Sequence, residues 1–475
     1  MLTRTRSHLL ALFVSLLGVG IAVMSGFMAG ASPMLLGLGF ATVPIVAFFF
    51  MRFEVAAIGL LVLRSALDPF SGMQLPAAFA IGVSALTLLY VVVQLITKKQ
   101  VITEKLWWVF ATWVILQSLW LVLMFIGGLG SDASQLQTSL REWVRIFSWL
   151  MVYLLMLQLK DKVHPEIIVS RLFLALIAPS TIALMQIFAP SLLPPMFGGG
   201  GDEYGAIGAS ISRVNGTLGH PNTFATFLLL FIGLTLWKLG KAKQRLYWLC
   251  LLGLLAFFYV ATKALFALAM LGVFLLVFIA PKLSLAKIIG GALLFAIAIA
   301  LFASTEFGQQ RLASLTSTPL FNSNIDISRA ILLSASDGNS FNWRIAQWTF
   351  LLQAWEHQPI LGYGLATCKQ LTVFDAYAHN DYIRALAEGG IIGFAAFILL
   401  FIALFTYLLQ IFRTAQPNSK QRNLCLVLLA MLSAIMVGML TENIWSHTTL
   451  FFYLWTLISV AGWQWNQKLV ESAEF

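Results

Sequence analysis

Apolar runs of about 18 to 25 residues recur along almost the whole chain, and a run of that length wound as an α-helix crosses the hydrocarbon core of a bilayer. Hydrophobic residues make up 60% of the sequence and charged residues only 10%, with a mean hydropathy of +0.89. A water-soluble domain carries about 25% charged residues, so that class is excluded. Because no alternation typical of a β-barrel is visible, the sequence predicts an all-α, polytopic membrane protein.

Hydropathy predicts about 14 membrane spans. They lie near 8–29, 33–51, 54–70, 76–96, 106–128, 141–159, 169–189, 221–239, 246–262, 264–280, 288–303, 390–412, 423–440 and 445–464. The expected organisation is a membrane block over 1–303 with an external segment at 190–220, a large and partly helical external loop over 304–389, and a C-terminal membrane block over 390–475. The first run lacks the pattern of a cleaved signal peptide and is expected to remain as a helix.

The net charge of +10 reports topology rather than a nucleic-acid partner. Most Lys and Arg residues fall in one alternating set of short connections, and the positive-inside rule places that set, with both termini, in the cytoplasm. Membrane lipids are therefore expected around the chain, and no nucleic acid is expected. The three cysteines lie far apart in the sequence and predict no disulfide framework.

The polar segment 377–394 leads straight into an apolar run, and it carries the leading candidate for chemistry, His379. Asn380 follows it and is suited to cap a helix, while the glycines within 389–393 allow one helix to turn closely into the next. The positive end of a helix dipole favours the neutral imidazole, which is the form that accepts a proton. The ordinary alternative is a loop histidine bonded to backbone.

Three cations on the same predicted external side are candidates for binding an anion. Arg213 precedes a helix that begins with a proline, Lys263 lies at the tip of a tight hairpin, and Arg344 lies on a predicted amphipathic helix over 343–355. Each also has a structural alternative: an arginine near lipid headgroups, an interface anchor or a solvated helix face. Tryptophans beside Arg344 favour a helix that packs onto the bundle and directs this arginine into a cleft.

Other charged residues are expected to support the site or the fold. Arg384 and Glu388 are four residues apart and should pair, with Glu388 steadying the helix that follows His379. Further candidates are a structural Arg64–Asp68 pair, a cationic funnel at Arg141 and Arg145, and the weaker candidate Glu442-Asn443 between the last two spans. The six histidines are dispersed and no acidic cluster stands out, so no metal site is predicted.

Four motifs together resemble the O-antigen ligase family, which also includes O-antigen and exopolysaccharide polymerases. They are Arg344-x3-Trp348, His357-Gln-Pro-Ile-Leu-Gly-Tyr-Gly364, Ala378-His-Asn-Asp-Tyr382 and Glu388-Gly-Gly-Ile-Ile-Gly393. The segment 211–224 and the hairpin at Lys263 resemble two further motifs of the family. The resemblance implies a metal-independent, inverting glycosyltransferase with a GT-C-like membrane fold and no cofactor, located in the bacterial inner membrane.

The resemblance also implies substrates and roles. The donor would be a glycan on undecaprenyl diphosphate, and the acceptor a hydroxyl of lipid A-core, of another lipid-linked glycan or of a protein, at the periplasmic face. His379 would be the general base, and Arg344, Lys263 and Arg213 would stabilise the departing diphosphate, with Asn380, Tyr382, Arg384 and Glu388 in support. Lys263 stands where the family has an arginine, and lysine cannot clamp a phosphate bidentately.

Two alternatives to a ligase remain open at this point. A glycan polymerase of the same family would share the site and differ in its acceptor. A small-solute transporter of the bicarbonate type belongs to a different class. The large external loop, the one-sided cluster of cations and the lack of a visible ion site near the membrane midplane argue against the transporter.

Overall fold

The computed structural model describes residues 43–129, 133–198, 213–240, 242–282, 284–306, 308–309, 312–313 and 340–466. Within these residues the chain is all helical, as expected. The helices are α1 (Val43–Met51), α2 (Phe53–Arg64), α3 (Leu75–Ile96), α4 (Lys105–Phe125), α5 (Ala133–Leu157), α6 (Pro165–Leu172), α7 (Ile177–Phe188), α8 (Pro221–Leu239), α9 (Arg245–Ala261), α10 (Leu265–Ile279), α11 (Leu285–Ala303), α12 (Ser340–His357), α13 (Asp381–Thr414), α14 (Lys420–Gly438) and α15 (Thr448–Ala461).

Six helical segments of the described chain are long and apolar enough to cross a membrane: α3, α4, the continuous stretch Pro165–Phe188, α8, α13 and α14. The pair α1 and α2, bent by 119°, makes up to seven. The polytopic helical class is thus confirmed, whereas the count of about 14 spans is not. Helices α9, α10 and α15 are apolar but shorter, and the predicted span 8–29 with most of 33–51 lies outside the described residues.

The helices α5, α8, α14 and α15 form the centre of the bundle. Helix α5 packs against α3, α4 and α15, and α8 packs against α9, α14 and α15. Every residue of α15 except its first is buried, which is typical of a helix enclosed on all sides. The long polar loops are therefore expected at the ends of this core rather than through it.

A buried tryptophan anchors the connection between α14 and α15. The Trp445 ring lies 5.1 to 5.6 Å from the rings of Trp113, Trp149, Phe397 and Phe451. Aromatic pairs of this kind contribute about 0.5–1.5 kcal/mol each beyond the area they bury. The neighbouring polar residues of this connection are thus held on a rigid base.

Helix α13 begins earlier than hydropathy predicts and is kinked. It starts at Asp381, inside the predicted loop 304–389, because its first two turns carry charged side chains that lower the hydropathy yet are buried against one another. Gly390 has φ +58°, and a Cβ there would lie 2.3 Å from Ile360 C. The segment 359–364 fills the kink: the Tyr363 and Gly364 amides donate to carbonyls of α13, at 3.1 and 2.8 Å.

The amphipathic helix predicted over 343–355 is present as α12. It packs against the start of α13, and Trp348 Nε1 donates to the Ala378 carbonyl oxygen over 2.6 Å. Gln347 Nε2 donates in the same way to the Ala376 carbonyl oxygen. Helix α12 therefore covers the chain just before α13, where the candidate histidine lies.

Candidate functional site

His379 lies immediately before the residue that caps α13. Asn380 Oδ1 accepts the backbone N–H groups of Tyr382 and Ile383, each at 3.0 Å, so the predicted cap is confirmed. His379 itself has φ +47°, a conformation that costs a residue other than glycine on the order of 1–3 kcal/mol. Its backbone N–H donates to Asn443 Oδ1 over 2.8 Å, which holds the strained residue in place.

The His379 ring has one enclosed edge and one open edge. Nδ1 is buried and lies 3.3 Å from Glu442 Oε1, close enough for ion pairing but without the angle of a hydrogen bond. The Trp343 ring meets the imidazole edge to face, with centroids 5.4 Å apart. Because 25% of the side chain is exposed while Nδ1 is buried, the exposure belongs to other atoms of the side chain.

Glu442 lies at the centre of the polar contacts around this histidine. Its side chain is 5% exposed, and Oε2 accepts from Asn222 Nδ2 over 2.5 Å while Oε1 accepts from the Asn443 N–H over 3.1 Å. Burial raises the pKa of Glu442, but the adjoining His379 imidazole and the Arg344 guanidinium outweigh burial and lower that pKa below its usual range. Glu442 is therefore an ionised carboxylate at neutral pH.

Arg213 is tied to the same carboxylate through one residue. Its Nη2 donates to Asn222 Oδ1 over 2.7 Å, and its Nε donates to the Thr262 carbonyl oxygen over 3.0 Å. Thr262 is followed by Lys263, which adopts φ +50° in the tight turn between α9 and α10. A continuous set of contacts thus runs from the hairpin tip to His379.

The structure therefore brings three of the four principal candidates into one network: Arg213, the turn that carries Lys263, and His379. Arg344 on α12 lies close enough to Glu442 for its charge to lower the pKa of that carboxyl. Two guanidinium groups, those of Arg213 and Arg344, thus lie near Glu442, and the backbone turn at Lys263 adjoins Arg213. Guanidinium groups are suited to bind a polyanionic group.

Arg384 and Glu388 form the predicted pair, but within a second, enclosed cluster. Arg384 Nε lies 3.0 Å from Glu388 Oε1, and Nη2 lies 3.0 Å from Glu142 Oε1. Glu142 also pairs with Arg145, and Arg384 Nη1 donates to Ser446 Oγ over 3.1 Å. With a side chain that is 3% exposed, Arg384 has no open route to a large substrate.

A narrow cleft borders this second cluster and is lined by Gln117, Asp381, Arg384 and Trp445 among others. Its cavity volume is about 40 Å³, which is room for a few water molecules. The Arg384 cluster and its cleft are therefore part of the scaffold beside the site.

The remaining candidates have structural contacts. Tyr382 Oη donates to the Met436 carbonyl oxygen over 2.8 Å and so joins α13 to α14. The Arg64–Asp68 pair is present at 2.6 Å, and Asp68 also accepts from Thr449. Arg145 is engaged in the enclosed cluster, whereas Arg141 is exposed. Among the described residues, no group of three or more His, Cys, Asp or Glu side chains is arranged to hold a metal ion.

Sequence reasoning missed two central residues and underrated a third. Asn222 looks like an ordinary second residue of a helix, yet it joins Arg213 to Glu442. His447 is one of the six dispersed histidines that predict no metal site, yet it is buried, its Nδ1 is 2.9 Å from Thr226 Oγ1, and burial lowers its pKa to about 3. Glu442 was rated weaker, although a carboxylate between two apolar helices is itself a signal of function.

The described fold and site define a class: a polytopic helical membrane protein with a strained histidine and several cations gathered at one end of its bundle. Residues 247–398 match the sequence model of the O-antigen ligase family, which confirms the resemblance over that part of the chain. This region includes Lys263, Arg344 and His379, whereas Arg213 and Glu442 lie outside it.

One curated relative adds to the family match. A Rickettsia conorii protein provisionally named a polysaccharide ligase is 27% identical over 130 residues, which cover 24% of this chain and 30% of that protein. The chain thus matches less than a third of the length of this relative.

Proposed function

We propose that the chain is a membrane glycosyltransferase of the O-antigen ligase type, which moves a glycan from undecaprenyl diphosphate to a hydroxyl of lipid A-core or a similar acceptor. The family match and the name of the Rickettsia relative support a role in glycan transfer. The observation that carries the proposal is the contact path from His379 through Glu442 and Asn222 to Arg213. It brings a candidate base and a candidate anion-binding group together from distant parts of the sequence.

In the proposed reaction, His379 is the general base. Its open Nε2 edge takes the proton of the acceptor hydroxyl as the oxygen attacks the anomeric carbon from the face opposite the diphosphate. The new glycosidic bond forms while the bond from the anomeric carbon to the diphosphate oxygen breaks, and its electron pair leaves with undecaprenyl diphosphate. The configuration at the anomeric carbon is inverted, and neither metal nor cofactor takes part.

The cations act on the leaving group in this proposal. Charge develops on the diphosphate as the bond breaks, and preorganised cations that face it lower the barrier, which is commonly the largest electrostatic contribution in such sites. Arg213 and Arg344 can each present two N–H groups to phosphate oxygens, whereas Lys263 supplies a point charge. The charge distribution of the loops favours a periplasmic site in the bacterial inner membrane.

The test is a transfer assay with the full-length protein in nanodiscs. Undecaprenyl-diphosphate-linked glycan is supplied with lipid A-core and with a second lipid-linked glycan, side by side, and products are separated by gel and identified by mass spectrometry. We expect one glycan block on lipid A-core and release of undecaprenyl diphosphate. A growing ladder on the lipid-linked glycan identifies a polymerase instead.

The variant His379→Asn tests the base in the same assay. Asparagine tolerates a positive φ and cannot take the proton, so we expect the rate to fall about 10²- to 10⁴-fold while the protein still folds. The matched control is His164→Asn, because His164 is a helix cap whose Nδ1 accepts from the Glu166 N–H, and asparagine caps equally well. Near-normal transfer by His379→Asn in folded protein contradicts the proposal.

A further inference from the structure

We propose that Glu442 is the positioning residue of His379: it fixes the proton of the neutral ring on Nδ1, leaves Nε2 bare to accept, and through Asn222 locks Arg213 to the same unit. This inference rests on the proposed function for its catalytic meaning, but its geometric part concerns the protein without substrate. It assigns the connection between α14 and α15 to the reaction machinery, outside the region of the family match.

The first support is the arrangement on the enclosed edge of the ring. Nδ1 is buried against Glu442 Oε1 at 3.3 Å, and a buried imidazole N–H requires an acceptor. Contacts of this type are often long before substrate binds and tighten when the imidazole becomes charged. Because Asn443 of the same connection holds the His379 backbone, side chain and backbone are fixed by two consecutive residues.

The second support is the orientation of the carboxylate itself. Glu442 Oε2 accepts a hydrogen bond from Asn222 Nδ2, and Glu442 Oε1 accepts one from the Asn443 N–H, so the carboxylate cannot rotate freely. Asn222 is in turn fixed, since its backbone N–H donates to His220 Nδ1 over 3.1 Å. A carboxylate with bonds on both oxygens can hold an imidazole in one tautomer.

The Arg344 guanidinium and the hydrogen bonds from Asn222 and Asn443 favour an ionised Glu442. It is faced by His379, by Arg344 from α12 and by His447 at the start of α15, with Asp381 of α13 the opposing carboxyl. His447 is neutral because of its burial. The carboxylate can therefore stabilise the imidazolium that forms during transfer while the proton stays on the ring, on Nε2, and none passes to Glu442.

The first test reads the tautomer directly. Full-length protein labelled with ¹⁵N-histidine is placed in nanodiscs without substrate, and the His379 signals are assigned by their loss in His379→Asn. At a pH where the ring is neutral, we expect a proton on Nδ1 and a bare Nε2 in the wild type. A wild-type ring protonated on Nε2 overturns the inference, whatever the variants do.

The variants Glu442→Gln and Glu442→Asp sharpen this test. The glutamine oxygen should accept from Asn222 Nδ2, the shorter of the two contacts to Glu442, at the expense of the contact from the Asn443 N–H. This turns the glutamine NH₂ toward His379 Nδ1 and should move the ring proton to Nε2. Aspartate keeps an acceptor and should keep the proton on Nδ1. The control is Glu104→Gln, because Glu104 is another largely buried carboxylate, bonded to Tyr153 and Tyr407 away from the site. If the His379 ring keeps its proton on Nδ1 in the folded Glu442→Gln protein, the inference is contradicted.

Kinetics supply the functional readout. Glu442→Gln should lower kcat about 10²-fold or more because the wrong nitrogen faces the acceptor, and Glu442→Asp should restore part of it. Asn222→Ala should raise KM for the donor, since it removes the Arg213 Nη2 contact, and should lower kcat by less than Glu442→Gln, since the Asn443 N–H still holds Glu442 Oε1. If Glu442→Gln and Glu442→Asp lose the same activity, and KM and kcat change by similar factors, the carboxylate is merely structural and the positioning role is refuted.

The two proposals fail separately. If transfer survives His379→Asn, the proposed base is wrong, yet the tautomer measurement still reports the Glu442–His379 contact. If substitution of Glu442 leaves the His379 tautomer unchanged while His379→Asn is inactive, the glycosyltransferase proposal stands and the positioning role is rejected.

Discussion

Two polar clusters lie beside each other at the site end of the bundle, one around Arg384 and one around His379. They differ in how fully their polar atoms are paired and enclosed. Arg384 has partners on all three nitrogens and a side chain that is 3% exposed. His379 has a strained backbone, an Nδ1 without a linear hydrogen bond and a side chain that is 25% exposed. Satisfied and enclosed charges hold helices together, whereas strain with an open polar edge is typical of a reacting group.

The partners of each cluster support this division. Arg384 joins Glu142 of α5 to Glu388 of α13 and to Ser446, so it connects elements of the scaffold. The contacts of His379 lead instead to residues from loops and helix ends, where a substrate can approach. Buried charge alone therefore does not identify the site, and four variants test the division between the two clusters.

The largest effect is expected from Arg384→Met. Removing one member of a buried ion cluster leaves Glu142 and Glu388 without their shared cation, which costs about 3–5 kcal/mol. We expect a much lower thermal unfolding midpoint in detergent, with the transfer rate per folded molecule changed far less than in His379→Asn. A stable but inactive Arg384→Met would place Arg384 in the site and erase the distinction.

A triple variant separates charge loss from loss of packing. Replacing Arg384 by Met together with Glu142→Gln and Glu388→Gln also removes the two carboxylates, so that the partly exposed Arg145 is the one charge of the cluster that remains. Replacing both partners of a buried ion pair is often neutral or stabilising. We expect the triple variant to unfold at a higher temperature than Arg384→Met alone. If it does not, the guanidinium matters mainly through its packing, including its position 5.0 Å from the Tyr377 ring.

A smaller effect is expected from Gly390→Ala, which tests the kink of α13 just after Glu388. Alanine at φ +58° costs roughly 1–3 kcal/mol of strain, and its Cβ would meet Ile360 backbone at 2.3 Å. The segment 359–364 must then shift, and both stability and transfer should fall. Gly82→Ala in α3 is the control, because a Cβ there meets nothing within 4 Å. Equal unfolding midpoints for the two variants would show that the kink is not required.

Much of the fold could be predicted because hydrophobic length and local signals act within short stretches of sequence. The Asn380 cap, the Arg384–Glu388 pair and the helix over 343–355 depend on neighbours three to four residues apart, and all are present. The number of spans could not be predicted in the same way. Hydropathy cannot tell a lipid-facing run from a shorter helix buried in the bundle, such as α15.

The site could be predicted only where a single residue carried the signal. His379 and Arg213 stand out as polar residues in an apolar chain, so they were identified. The Asn222–Glu442 contact joins residues 220 positions apart, and no local pattern predicts which polar residues tertiary packing brings together. Likewise, Arg384 is enclosed partly by Glu142, which lies on another helix, so the local sequence around Arg384 cannot reveal this contact.

The smallest effect concerns His447, a second buried histidine that contrasts with His379. Its pKa is about 3 in the folded protein against an ordinary value of 6.5, because of burial. Below pH 6.5 the unfolded chain binds a proton at His447 that the folded protein does not bind. The free energy of unfolding therefore decreases by about 1.4 kcal/mol for each unit that the pH is lowered between 6.5 and 3. Glu442 adds no change between pH 6.5 and 4.5, since its pKa lies below 4.5.

We therefore expect His447→Gln to lose about 2 kcal/mol less stability than the wild type between pH 7.5 and pH 5, because glutamine has no proton to gain. Glutamine can also keep a hydrogen bond to Thr226. The measurement is the unfolding midpoint in detergent at both pH values, with exposed His357→Gln as the control that keeps the wild-type loss. The same acid loss in His447→Gln and wild type would mean that His447 is not held neutral by burial, and the contrast with the open imidazole of His379 would then narrow.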